Sequence, residues 1–381
     1  MTQTPFSPLS PSPRLLTGPG PSNIAPSVQE AMQRPQLGHL DPEFWALCDE
    51  VTAMLAQVYR RRAGMTFPVS ASGTSGIEAI LTGLLDTADT VIVGVAGFFG
   101  ARLAEIARRA AARVVTVEAP LGQAVPNEAL LEALARNPRA RAVAVVHAET
   151  STGVRHPLEE LARELAGRET LLVADCVTSL GGIELEPERW GVDACASCTQ
   201  KCLGAPPGMA PISLSERAVE RMRARRAQVP FSLDLDLLAG YWLERPPVYH
   251  HTAPILHVYA LHEALRLALV EGMAERWDRH ALAGRHLQAR LRERGFELLA
   301  DADVQLPQLT AVRVPDGVDG REVQLRLARK HGIEIGGGLG PSAPPIWRIG
   351  LMGVNATVDM GERVLEALDA VLAGSRSLAV A

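Results

Sequence analysis

Residues 171–177 read Leu171-Leu-Val-Ala-Asp175-Cys-Val177, an apolar run closed by a single acid. A short uncharged run of this kind suits a strand that is covered on both faces. Similar runs recur on either side of it. Thr66–Ser70, Thr90–Val95, Arg113–Val117 and Ala142–His147 precede it, and Val192–Ala196 and Met209–Leu214 follow. Between them, Gly76–Leu85, Ala101–Ala111, Asn127–Arg136 and Leu158–Ala166 carry apolar residues at helical spacing. The alternation predicts an α/β fold built on a large, mostly parallel sheet covered by helices. Such sheets bind ligands at the carboxyl ends of their strands, where Asp175 stands.

After Pro254 the pattern changes. Val258–Val270 and Met273–Arg292 read as long helices, and Gln308–Val314, Gly320–Lys330, Pro345–Gly350 and Asp359–Ala373 as strand, helix, strand, helix. Three regions are expected. Residues 1–14, rich in Pro and Ser, form a disordered or surface-draped tail. Residues 15–255 form an N-terminal arm and a large domain. Residues 256–381 form a connecting helix and a smaller α+β domain. The arm, before residue 60, should pack across both domains or onto a partner.

The 381 residues are 47% hydrophobic and 21% charged, with a net charge of −5, which argues against a general binder of nucleic acid or anionic membranes. Five cysteines, an odd number, do not suit a disulfide-stapled scaffold and fit a reducing compartment. No apolar run approaches the roughly 20 residues needed to cross a bilayer. With no secretory pattern visible, the expected location is cytoplasmic.

Three stretches carry candidate chemistry. Ser70-Ala-Ser-Gly-Thr-Ser-Gly76 joins an expected strand to an expected helix. Its small residues, its hydroxyls and a helix N-terminus can cradle a phosphate, although a plain N-cap in a tight turn reads the same way. Asp175 ends its strand and needs a cationic partner if buried, but it can equally cap a helix or bind a metal. Lys201 sits in Gln200-Lys201-Cys-Leu-Gly-Ala-Pro-Pro-Gly208 with no acid nearby. Desolvation there would make its amine nucleophilic; otherwise it is a surface lysine on a loop. A phosphate cradle, a strand-end acid and a desolvated lysine, taken together, are what pyridoxal 5′-phosphate requires.

Gly18-Pro-Gly-Pro-Ser-Asn23, Glu149-Thr-Ser-Thr-Gly153, Asp175-Cys-Val-Thr-Ser-Leu-Gly-Gly182, Gln200–Gly208 and Trp347-Arg348-Ile-Gly-Leu-Met-Gly353 extend this set. Over about residues 15–375 the chain resembles the alanine–glyoxylate / serine–pyruvate aminotransferases, class V enzymes of the fold-type I pyridoxal-phosphate group. The resemblance implies that Lys201 forms the Schiff base and moves the proton, and that Asp175 pairs with the pyridine nitrogen. It implies that Val177 and Phe99 flank the ring, Phe99 standing where some members have Trp. Ser72, Gly73, Thr74 and Gln200 would hold the phosphate, with His in place of Thr74 in some relatives. Ser151 would lie near the phenolic edge and the substrate, and Arg348 would clamp the substrate carboxylate. Tyr249 and Thr252 would reach the phosphate of the other subunit in a homodimer. The implied reaction is a ping-pong transfer from alanine or serine to glyoxylate or pyruvate.

Other readings compete. An aspartate-type transaminase, a lyase or a desulfurase can use the same scaffold, and a non-catalytic binding protein can keep the fold. Arg155 is the one cation near the motifs available to receive a distal carboxylate. Cys195, Cys198 and Cys202 are expected to pack rather than bind metal. His250 and His251, adjacent in an extended segment, should point to opposite sides. His39 either faces the substrate or serves a turn, the turn being preferred; Arg221–Arg226 should be a solvated helix face, and Gly336–Gly338 a mobile turn rather than a phosphate loop.

Overall fold

The computed structural model describes residues 7–110, 113–340 and 343–378. Residues 1–6 of the expected tail, Ala111 of the expected helix and the last three residues lie outside the described set. Residues 7–14 have no regular structure and are largely exposed.

Seven strands form the main sheet: β1 Met65–Val69, β2 Thr90–Val95, β3 Arg113–Glu118, β4 Ala142–Val146, β5 Leu171–Asp175, β6 Ala194–Ala196 and β7 Ala210–Leu214. Their spatial order is β1-β7-β6-β5-β4-β2-β3. Only β7 runs against its neighbours, antiparallel to β1 and β6. The strands β4 to β7 are buried throughout, as apolar runs covered on both faces must be. Val146, Asp175 and Ala196 lie side by side in register. Because β1 and β6 both oppose β7, Val69 ends at this same edge, where β7 begins. The phosphate-type turn, the acid and the lysine loop therefore meet at one rim of the sheet.

A three-stranded antiparallel sheet forms the C-terminal body, from β8 Leu309–Arg313, β9 Gly336–Gly337 and β10 Ile346–Gly350, in the order β8-β10-β9. The helices Met273–Glu293 and Val358–Leu378 pack on each other beside it. Leu287, Val312, Trp347, Ile349, Val364 and Leu368 form its apolar core. The helix Ile255–Glu271 instead gives Val258, Leu261 and Leu265 to the core of the main sheet.

The segment before residue 60 does two things. Asp41 caps a helix over Pro42–Val58, whose Phe44, Val51 and Leu55 enter the main core. Residues 15–23 run between the bodies: Leu15 and Leu16 pair in parallel with Ile333 and Glu334, and the Ser22 N–H donates to the Gln200 carbonyl at 2.9 Å. A charged cluster around the buried Arg276 ties the bodies together behind the site. Arg276 donates to the Cys202 carbonyl at 2.6 Å, Arg279 to that of Gly353 at 2.9 Å, and both pair with Glu271.

Two expectations need correction here. Gly336–Gly337 is a strand paired with Trp347 and Arg348, not a mobile turn, because its open edge completes the sheet that carries Arg348. Arg221 and Arg225 do not lie on a solvated face. Arg221 bridges Asp86 and Asp89 at 2.9 and 2.7 Å, and Arg225 pairs with Asp234 at 3.3 Å.

Candidate active site

Ser72 caps the helix Gly73–Leu84 by accepting the Ser75 N–H at 3.2 Å. The helix opens at the rim, with the Ser75 hydroxyl 3.1 Å from that of Ser72. Gly73 cannot be larger: a Cβ there would stand 2.9 Å from Cγ2 of Val177. The backbone of the turn thus lies against the loop that follows Asp175.

Asp175 is buried, and a single hydrogen bond reaches its carboxylate from a described residue, the Val177 N–H at 2.9 Å. Burial raises its pKa to about 6, against the Val177 N–H and the charge of Arg102, which favour the anion. Lys201 lies in the loop between β6 and β7. Burial lowers its pKa, and the nearby charges of Arg348 and Arg102 push the same way. An amine held toward its neutral form is a nucleophile. Its Nζ donates to the carbonyl of Pro19, and a side chain at Gly20 would collide with it. The N-terminal segment therefore closes over the lysine, and Ser22 holds the lysine's own carbonyl at 2.9 Å.

Arg348 reaches the same place from β10. It is buried, donating from Nε to the Gly337 carbonyl at 2.7 Å and from Nη1 to the Thr150 carbonyl at 3.2 Å. Both contacts orient the guanidinium and leave donors over for a carboxylate.

Phe99 is the second residue of the helix Phe98–Arg109, and the Arg102 guanidinium lies 4.5 Å from its ring centroid. The Ser151 hydroxyl donates to Glu149 at 2.5 Å and accepts the Phe98 N–H at 2.9 Å, so its one proton is committed within the protein. Gln200 presents a buried Oε1 with no partner among the described residues.

Tyr249 and Thr252 stand apart from this cluster on a segment with neither helix nor strand, both exposed. Tyr249 packs only its ring against His39, at 5.6 Å. His39 lies in the turn before the Asp41 cap, and its carbonyl accepts from the Trp45 indole at 3.3 Å.

His250 and His251 do not point apart: their Nδ1 atoms are 2.9 Å from each other. The segment is turned there, with His251 bonded to Ser70 at 2.7 Å and His250 stacked on Phe231. Arg155 is exposed on the outer strand of a short hairpin. The cation whose charge is felt at both Asp175 and Lys201 is Arg102, a residue the sequence reading passed over. Cys195, Cys198 and Cys202 are buried free thiols, and burial pushes Cys198 and Cys202 up to about 12.

The donor set suits a flat, phosphorylated, cationic ring. A helix start without bulk offers N–H groups to the phosphate, and an isolated buried acid awaits a cation. The neutral-leaning Lys201 amine stands beside them.

Comparison with known proteins agrees. The family model for class-V aminotransferases matches residues 29–356. Alanine–glyoxylate aminotransferase of Rattus norvegicus is 38% identical over 365 residues, covering 95% of this chain and 88% of the relative. (S)-Ureidoglycine–glyoxylate transaminase of Bacillus subtilis is 34% identical, covering 94% and 90%. The crystal structure of alanine–glyoxylate aminotransferase from Nostoc sp. superposes with a TM-score of 0.92 at 46% identity, over 97% of this chain and 98% of that one. The chain belongs to the class-V aminotransferase family, and it is a fold-type I aminotransferase that depends on pyridoxal phosphate.

Proposed function

We propose that the enzyme moves the amine of a small amino acid, alanine or serine, onto glyoxylate or pyruvate in a ping-pong sequence at one site. The observation that carries this reading is the buried, backbone-pinned Arg348, whose charge reaches the Lys201 amine. One carboxylate-reading fork beside one nucleophilic amine suits substrates with a single carboxylate. The relatives' names support it, since alanine and glyoxylate recur in them.

In this reading Ser72, Gly73, Thr74 and Gln200 hold the cofactor phosphate. Val177 and Phe99 flank the ring, Asp175 pairs with its nitrogen, and Ser151 lies at its phenolic edge beside the substrate. When bound, pyridoxal phosphate supplies an aldehyde for the amine and a cationic ring that draws electrons from the α-carbon. Lys201 takes the proton from the substrate α-carbon and returns it during transfer. Asp175 keeps the ring nitrogen protonated, and the nitrogen's charge keeps Asp175 ionised. Arg348 fixes the carboxylate, so that one α-substituent faces the lysine.

The reading extends to a cytoplasmic homodimer with shared sites. Among the described residues no helix is long and apolar enough to cross a membrane, and all five cysteines are free. Phe231, Val248 and Tyr249 are 65%, 53% and 60% exposed, and Leu40 lies beside His39, which meets Tyr249. An exposed patch of this kind suits burial against a second copy, with Tyr249 and Thr252 entering its site. The division at residue 255 into a large and a small domain belongs to the same proposal; the two separate apolar cores support two domains, with the helix Ile255–Glu271 packed on the first.

Arg102 favours a second reading, a dicarboxylate donor, but its guanidinium lies over Phe99. The deciding experiment compares kcat/KM for alanine, serine and aspartate with glyoxylate and with pyruvate. Alanine or serine should lead by tenfold or more. Aspartate in the lead would reject the small-donor reading.

A further inference from the structure

The helix Phe98–Arg109 starts without a cap of its own. Its N-cap is Gly97, which has no side chain to offer. Nothing larger fits there: a Cβ on Gly97 would collide with the Ser151 hydroxyl and stand 2.8 Å from Cδ of Glu149. The cap comes instead from the hairpin after β4. Glu149 Oε1 accepts the Phe99 N–H at 3.3 Å, and Oε2 accepts the Gly100 N–H at 2.9 Å. Ser151 takes the Phe98 N–H at 2.9 Å, and Glu149 takes both the N–H and the hydroxyl of Ser151, at 3.1 and 2.5 Å. Three successive N–H groups at the start of the helix are thus received by two side chains that also bind each other.

Glu149 is 1% exposed. A buried carboxylate is retained only where it is well hydrogen-bonded, and Glu149 accepts four bonds, three at Oε1 and one at Oε2. The helix N-terminus adds a favourable field for a negative group. One of the two helix N–H groups that Glu149 holds is that of Phe99, so the carboxylate fixes the backbone from which that ring projects.

We propose that Glu149 is a positioning residue that acts through Phe99: by gripping the first turn of the helix, it sets the place of the aromatic ring against the cofactor. The inference rests on the reading of Phe99 as a ring-stacking residue. Gln at position 149 keeps the shape but loses the charge, and with its oxygen at the Oε1 place it turns an N–H₂ toward the Gly100 N–H, which can only donate. Phe99 should then be held loosely while Lys201 and Asp175 stay in place.

The test is a double-mutant cycle on cofactor affinity, measured as the dissociation constant of pyridoxal phosphate for the cofactor-free protein by absorbance and fluorescence. Glu149→Gln is expected to weaken binding about tenfold, and Phe99→Ala by a similar factor. If Glu149 acts through the ring, the double variant binds no more than about threefold more weakly than Phe99→Ala alone. Factors that multiply in full would overturn the inference and leave the stacking role of Phe99 intact. Wild-type affinity in Phe99→Ala would remove the stacking role itself, and the inference with it. Should Glu149→Gln fail to fold, Glu149→Asp keeps the charge while shortening the carboxylate's reach to the Phe99 and Gly100 N–H groups. It is expected to lose a few fold in affinity, a loss that disappears in the Phe99→Ala background. An equal loss in both backgrounds would count against the inference.

Discussion

The Arg348 guanidinium donates to the carbonyl oxygen of Thr150 at 3.2 Å, joining residues 198 positions apart. One lies on the small sheet and the other after β4, so the Arg348 guanidinium is aimed by both bodies. Arg348→Lys keeps a charge but loses the planar fork and its second backbone contact. KM for both amino donor and oxo-acid acceptor should rise about tenfold or more, with a smaller change in kcat. Steady-state kinetics with each substrate varied in turn will read this. An unchanged KM for both would remove Arg348 from carboxylate binding.

Lys201→Ala should abolish borohydride-trappable cofactor and lower turnover by several orders of magnitude, because no other amine lies in the loop between β6 and β7. Mass spectrometry after reduction is the direct check. A variant that still transaminates at a near-normal rate would rule out the assignment.

Asp175 makes a prediction with a sign. Its pKa rises from 3.8 to about 6 on folding, because burial penalises the anion. Below pH 4 the acid is protonated both folded and unfolded, so it costs nothing. Between pH 4 and 6 the unfolded chain gives up its proton first, and the stability of the cofactor-free protein falls as pH rises. Above pH 6 the whole cost is present, roughly 3 kcal/mol from a shift of about two units. Cofactor-free Asp175→Asn should therefore melt later than wild type at pH 7, with the gap closing toward pH 4. With cofactor bound, the same variant should lose kcat by about a hundredfold, since an amide cannot hold the ring nitrogen charged. Calorimetry across pH and single-turnover rates measure the two halves.

The shared-site proposal has its own test. Lys201→Ala and Tyr249→Ala chains, each nearly inactive alone, can be unfolded mildly and refolded together. A mixed dimer would hold one site with both defects and one with neither, so activity should return. No recovery in proven heterodimers would mean that Tyr249 serves its own chain.

Much of the scaffold was legible because its signals are local. β2, β5 and the helix Asn127–Arg136 have the limits that periodicity predicts. The helix Pro42–Val58 could have been read as well: Asp41 caps it, Pro42 starts it, and Phe44, Cys48, Val51 and Leu55 keep helical spacing. What escaped depends on distant partners. Arg221 looked solvated because Asp86 lies 135 residues earlier. Glu149 gave no sign of capping a helix because the N–H groups it binds come some 50 residues before it. The histidine pair misled because alternation assumes a straight strand, and that segment bends.

Thr17 offers its carbonyl to the Gly350 N–H at 2.8 Å and its hydroxyl to the carbonyl of Glu334, 317 residues on. On the ribosome that order is inverted. The segment that closes over Lys201 is made first, yet its docking surface is among the last to emerge. At about 5–20 residues per second, the lysine leaves the ribosome on the order of ten seconds before Gly350 does. Throughout that interval the nascent chain carries Lys201 without its cover. Sealing the site must wait for contacts between opposite ends of the chain, the slowest kind to form. Translation thus delivers the nucleophile early and its enclosure late.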